Sequence, residues 1–198
     1  MRIPFIAKVS SQGELGVEDA RLRFIADTRG GSAFLLAGAV FWLTGALLAL
    51  VFPAVQVPWV LYGGLSVPVL GVLIAKLQGA HLWGHPGYAS LVMFATITEL
   101  TALPTMFYLR GEHPEVLPGI LMIADGAHLL ILMWLHLDFT YFVAGYSKAL
   151  FGALFLFGAF WQGSYPAQLA LSGVISLVTA LLVWRDSART LQLYLRGV

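Results

Sequence analysis

Residues 116–136 read VLPGILMIADGAHLLILMWLH, and this stretch decides the fold. It has the length and apolar character of a membrane span, since crossing a hydrocarbon core of roughly 30 Å takes about 20 predominantly apolar residues. Inside a bilayer the backbone must pair with itself, so the segment has to be an α-helix. Yet it carries Asp125, His128 and His136. A lone charge at the bilayer centre costs about 2.5–3.5 kcal/mol on insertion scales, so such residues face inward and seek partners. The stretch therefore fixes a membrane helix and also implies other helices to receive its polar side.

The rest of the chain supplies them. Of 198 residues, 59% are hydrophobic and 11% charged, and the mean hydropathy is +0.84, which departs strongly from soluble domains. Six segments satisfy the span criterion: 32–52, 57–77, 88–109, 116–136, 140–161 and 167–184. The linkers FPAVQVP, QGAHLWGHPG, RGEHPE and QGSYP are short and rich in helix-ending Pro and Gly. The expected fold is all-α, a polytopic membrane bundle of about six transmembrane helices in one unit.

Ahead of the first span, GVEDARLRFIADT sets Val17, Arg21, Phe24 and Ile25 on one side at helical spacing, the pattern of an amphipathic surface helix. Residues 1–31 are read as an N-terminal segment holding that helix, 32–184 as the transmembrane domain and 185–198 as a basic tail. The N-terminus lacks the apolar core of a signal peptide, so the first span is expected to stay as an anchor. Arg2, Lys8, Arg21, Arg23 and Arg29 precede that span, Lys76 flanks the second connection, and Arg185, Arg189 and Arg196 follow the last span. Only Arg110 falls on the other side. Basic residues are retained in the cytoplasm, so both termini are expected there, in a bacterial cytoplasmic membrane. Trp59, Tyr62, Trp83, Trp161, Tyr165 and Trp184 lie near span ends, where amphipathic rings favour the interface.

Four ionisable residues fall well inside spans: Glu99 in the third, Asp125 and His128 in the fourth, and Lys148 in the fifth. At ~1.5 Å per residue, Glu99 and Lys148 lie roughly 17 and 12 Å from the inner ends of their helices, and Asp125 roughly 14 Å from its outer end. They share a depth. Asp125 and His128 also share a helix face, with His136 returning near it two turns on, while Tyr141 and Lys148 share a face beside Gly145 and Gly152 that admits a close neighbour. Two uses compete. Lys148 can bridge Asp125 or Glu99 in a structural knot, or Glu99, Asp125, His128, Lys148, His136 and Tyr141 can form a proton or substrate path.

Pro68 and Pro104 interrupt the second and third spans, each freeing a carbonyl one turn earlier. Around Pro104, Thr96, Thr98 and Thr101 give the wall of Glu99 a hydroxyl-rich character. Glu99, Asp125 and His128 are also the candidate ligands for a metal, although Lys148 at the same depth opposes a cation. His81 and His85 sit in a Gly/Pro-rich loop and read as surface histidines. The chain has no Cys and no Asn, which excludes disulfides, thiolate sites and N-glycosylation. The small-residue rows Ser172/Ser176/Ala180 and Ala33/Ala37 allow tight contact within the bundle or between protomers.

GGSAFLLAGAVFWLTG, SVPVLGVLIAKL and GAHLLILMWLH together resemble a family of uncharacterised bacterial multi-pass membrane proteins, known only as a domain of unknown function. The resemblance spans 21–159. Gly126, Ala127 and His128 agree with its most recognisable motif, while Leu129 to Ile131 replace an aromatic-Pro continuation. It implies the topology and singles out His128, and it implies no activity. From the residues, the expected function is a small transporter or channel for protons, ions or a small polar or amphipathic solute. A non-catalytic scaffold or lipid-binding subunit is the second reading, and an intramembrane metal-dependent enzyme the third. No resident cofactor and no nucleic-acid partner are expected; the bilayer is, with a homo-oligomer possible through the small-residue faces.

Overall fold

Nine α-helices are found among the residues that the computed structural model describes, 17–82, 86–158 and 165–195. They are α1 (Val17–Asp27), α2 (Ser32–Val51), α3 (Gln56–Tyr62), α4 (Ser66–Leu77), α5 (Pro86–Leu100), α6 (Leu103–Leu109), α7 (Leu117–His136), α8 (Phe139–Leu156) and α9 (Tyr165–Leu195). No strand occurs among the described residues. The helices make six stretches long and apolar enough to cross a membrane: Arg29–Val51, Pro53–Leu77, Ser90–Leu109, Pro114–His136, Phe139–Leu156 and Tyr165–Ala188. Trp83, His85, Trp161, Arg2, Lys8 and Arg196 lie outside the described residues.

The two proline-interrupted spans are broken helices. In the second, a tight turn at Gly63–Leu65 separates α3 from α4, one turn before Pro68, and the Ser66 hydroxyl donates to the Gly63 carbonyl at 2.6 Å. In the third, Thr101 and Ala102 separate α5 from α6, their N–H groups donating to the carbonyls of Thr98 and Glu99, and Pro104 falls in the first turn of α6. Both prolines thus sit where their missing N–H costs least. The fifth span ends at Leu156, earlier than the apolar run 140–161 suggests, because the chain turns at Gly158 with φ of 67°. The sixth helix runs on past residue 184 to Leu195.

The core is a four-helix arrangement in which α7 packs along α8, α2 along α9, and α8 against α9. α7 and α8 form a hairpin closed by a two-residue turn, Leu137 in the left-handed region and Asp138 capping α8 by accepting from the Thr140 N–H at 2.8 Å. Their approach is set by glycines seven residues apart on each helix. Gly126 faces Gly145 and Gly119 faces Gly152, and a Cβ built on Gly126 would lie 2.5 Å from the Gly145 carbonyl oxygen. Small residues at such a seam let backbones touch, which is how helices associate in lipid.

α4 packs outside on α2, and α5 outside on α7. Their remaining surface is apolar and open, with Val69, Val72 and Leu73 on one and Met93, Phe94 and Ile97 on the other among the exposed large residues. This is the surface expected of helices that meet lipid. At the end of the bundle that carries α1, Phe24 and Ile25 are buried, so the bundle itself covers the apolar side of that amphipathic helix. Arg21 donates to the Leu135 carbonyl at 3.1 Å, with its guanidinium 4.4 Å from the Trp134 ring centroid.

Candidate functional site

Four of the six sequence-derived polar residues converge at mid-depth. Asp125 of α7 lies beside Gly126, and Lys148 of α8 lies between Gly145 and Gly152, so the glycine seam that draws the two backbones together also brings the two charges together. The Lys148 Nζ donates to Asp125 Oδ2 at 2.5 Å and to Ser176 Oγ of α9 at 2.6 Å. The Trp42 indole N–H of α2 donates to the same Asp125 oxygen at 3.0 Å, and the ammonium stands 5.4 Å from the Trp42 ring centroid. Each core helix contributes one member, and Lys148 is 1% exposed. A charge buried that deeply survives only with a partner and further hydrogen bonds, and here it has both.

Trp42 and Ser176 were not singled out as site residues by the sequence. Trp42 had a signal: a tryptophan at mid-span, away from the interface belt, needs an acceptor for its N–H. Ser176 read as a member of a small-residue row, and nothing in its spacing distinguishes a packing serine from one that holds an ammonium.

Beside this closed group stands an open one. Glu99 of α5 and His128 of α7 approach to 3.5 Å between Oε2 and Nδ1, beyond the ordinary hydrogen-bond range. The His128 Nδ1 is buried and makes no hydrogen bond among the described residues. The Glu99 side chain is 26% exposed, against 1% for Lys148. The threonines around Glu99 do not join it: Thr96, Thr98 and Thr101 donate to the carbonyls of Val92, Ala95 and Thr98 in their own helix. The hydroxyl-rich wall expected there is turned back onto the backbone, the usual local habit of Thr within a helix.

His136 and Tyr141 belong to a different place. They sit at the α1 end, where the His136 ring stacks between Phe24 and Tyr141 at centroid distances of 5.5 and 5.1 Å. The Tyr141 hydroxyl donates to the Gly30 carbonyl at 2.5 Å. Eight residues of helix separate His136 from His128, about 12 Å. The sequence grouped these two with the mid-depth residues because helical periodicity reports a face and not a depth.

One ligand atom from each of Glu99, Asp125 and His128 lies within 4.8 Å of the others, the donor types that a divalent metal takes. The Lys148 ammonium already occupies one carboxylate of that set and opposes a further cation beside it. The arrangement can hold a proton on Glu99, His128 or Asp125 and can pass it over short distances.

Comparison with curated proteins and with solved structures finds no match for this chain. A sequence profile does match: residues 17–186, a longer stretch than the 21–159 of the resemblance, fit a family of unknown function, DUF7010. The chain, a helical bundle with six candidate membrane spans around a buried ion pair, belongs to that family.

Proposed function

We infer that the protein is a small membrane transporter that moves protons, alone or coupled to a small solute, with Glu99 and His128 as the protonatable pair and the Asp125–Lys148 ion pair behind it. One observation carries the reading: the mid-depth polar network is left unbonded where Glu99 faces His128. A buried polar group that serves structure alone is expected to be satisfied, since an unmade bond in a low-dielectric interior is costly. His128 Nδ1 is buried and unbonded, and the Glu99 carboxylate facing it is partly exposed. Ionisable groups in membrane spans mark ion and proton routes by default. The cluster suits that use, because imidazole and carboxylate can alternate as proton holders beside a buried ion pair.

In this reading the protein lies in a bacterial cytoplasmic membrane with the α1 end and both termini inside. The basic residues support it: Arg21, Arg23, Lys76 and Arg185 all belong to the α1 end, and Arg110 to the other. Residues 1–31, 32–184 and 185–198 then serve as lead-in, transport unit and tail, with lipid as the constant partner. A scaffold or lipid-binding role is the second reading, favoured by the four-helix closure around Lys148.

The test is proton uptake into sealed liposomes under an imposed pH gradient, comparing wild type with His128→Ala and Asp125→Asn. Flux that disappears in folded variants is the expected result. Wild-type liposomes no leakier than empty ones, with or without a set of candidate solutes, would turn the assignment to the scaffold.

A further inference from the structure

The α9 helix carries a second polar feature that the ion pair does not use. Gln168, Ser172 and Ser176 recur every fourth residue and are 4%, 0% and 2% exposed. Four residues of helix rise about 6 Å, so the three side chains form a column on one face. Its lower rung is Ser176, which accepts from Lys148. Its upper rungs point toward the opposite end of the bundle, where Tyr165 begins the helix and its hydroxyl donates to the Gln56 carbonyl at 3.3 Å.

The upper rungs behave unlike Thr179 and Ser187 of the same helix. Thr179 donates to the Ile175 carbonyl at 2.7 Å and Ser187 to the Trp184 carbonyl at 2.9 Å, the local bond that a helical Ser or Thr normally makes. Ser172 Oγ and Gln168 Oε1 make none among the described residues, and both are buried. Two unpartnered polar atoms one turn apart, in line with a hydroxyl already bound to an ammonium, need a ligand that can donate and accept. Ser172 and Ser176 step by about 6 Å along the helix axis, too far for a direct hydrogen bond near 2.8 Å and beyond the roughly 5.6 Å that one water making two such bonds can reach, so joining them takes more than one water.

We propose that Gln168 and Ser172 form a water-binding site, and that its waters extend the Ser176–Lys148–Asp125 chain toward the Tyr165 end of the bundle as one limb of the proton route. The water-binding part stands on the column alone; the role as a limb rests on the transport reading. A proton arriving along the file would reach Ser176 and Lys148 first. For each proton that Lys148 passes from Nζ to an Asp125 oxygen, the resulting amine regains one from the file, so charge and atoms balance.

The two parts are tested separately on the full chain. Thermal unfolding in detergent of Ser172→Ala, Gln168→Leu and the double variant tests the water. Ala is the better helix former and removes an unpartnered hydroxyl, so a dry column predicts a higher Tm for Ser172→Ala. A water-bound column predicts a Tm lower by about 2–4 °C, little further loss in the double variant, and rescue by Ser172→Thr. A raised Tm with additive effects overturns the site. Proton flux of Ser172→Val, which fills the rung with methyl groups, tests the limb: a tenfold or larger drop with retained fold is expected. Wild-type flux in that variant overturns the limb while leaving the transport reading intact. If wild type itself conducts no protons, the transport reading and the limb fail together, and the unfolding series still decides the water.

Discussion

The two halves of the mid-depth cluster are built from the same residue types and are finished differently. On one side Asp125, Lys148, Trp42 and Ser176 close a network drawn from four core helices, with Lys148 almost fully buried. On the other, Glu99 and His128 face each other at 3.5 Å with a buried nitrogen unbonded and a carboxylate in partial reach of the surroundings. The supporting helices explain the difference. α7 and α8 are clamped by backbone contact along their glycine seam, whereas α5 is an outer helix broken at Thr101 and Ala102 and packed chiefly on α7. A rigid seam can hold a charge pair at fixed distance. A peripheral, interrupted helix can move its carboxylate, which is what a proton carrier needs. The lesson is that closure of the network, and not the presence of charge, marks the part of the cluster that holds the bundle.

The largest expected effect would break the closed half. Lys148→Met leaves Asp125 buried without its cation, and removing one partner of a buried pair costs about 3–5 kcal/mol. Reversible unfolding in mixed micelles should show that loss, and Lys148→Met combined with Asp125→Asn should recover much of it, since Asn keeps an acceptor for Trp42. A Lys148→Met protein as stable as wild type would mean the pair is not structural.

Next comes the seam. Gly126→Val places methyl groups against the Gly145 carbonyl, and overpacking of this kind costs about 1–3 kcal/mol. Spin labels on α7 and α8 should report a wider separation at that level, with Asp125 and Lys148 drawn apart. An unchanged separation would show that the seam does not set the charge geometry.

A smaller effect sharpens the contrast with the α1 end. Tyr141→Phe removes the hydroxyl that donates to Gly30, a bond worth about 0.5–1.5 kcal/mol. Stability should fall by roughly that much while proton flux stays within twofold of wild type. Loss of flux would return Tyr141 to the path from which its position separates it.

Much of this was legible in the sequence. Apolar runs of span length, punctuated by Pro and Gly, gave six crossings, because the bilayer leaves helices no alternative. The shared depth of Glu99, Asp125, His128 and Lys148 followed from counting residues, and Gly145 and Gly152 already marked a close approach beside Lys148. Helix rotation and neighbours were not legible. Nothing in a span records which helix it meets, so the tie to Trp42 and Ser176, the division into a closed and an open half, and the return of the threonine hydroxyls to their own backbone emerge only in three dimensions. His136 illustrates the same limit. Its spacing puts it near the face of His128, and only the packing of α1, through Phe24, gives it an aromatic setting at one end.

In the transport reading Glu99 works without holding the fold. The most direct measurement is therefore pH-gradient-driven proton flux through Glu99→Gln in sealed liposomes, with unfolding of the same preparation followed alongside. Gln keeps the shape and loses the proton, so flux at the level of empty liposomes with stability within about 1 kcal/mol of wild type is the predicted result. Wild-type flux in Glu99→Gln, or a loss of stability as large as that of Lys148→Met, would contradict a Glu99 that carries protons without holding the fold.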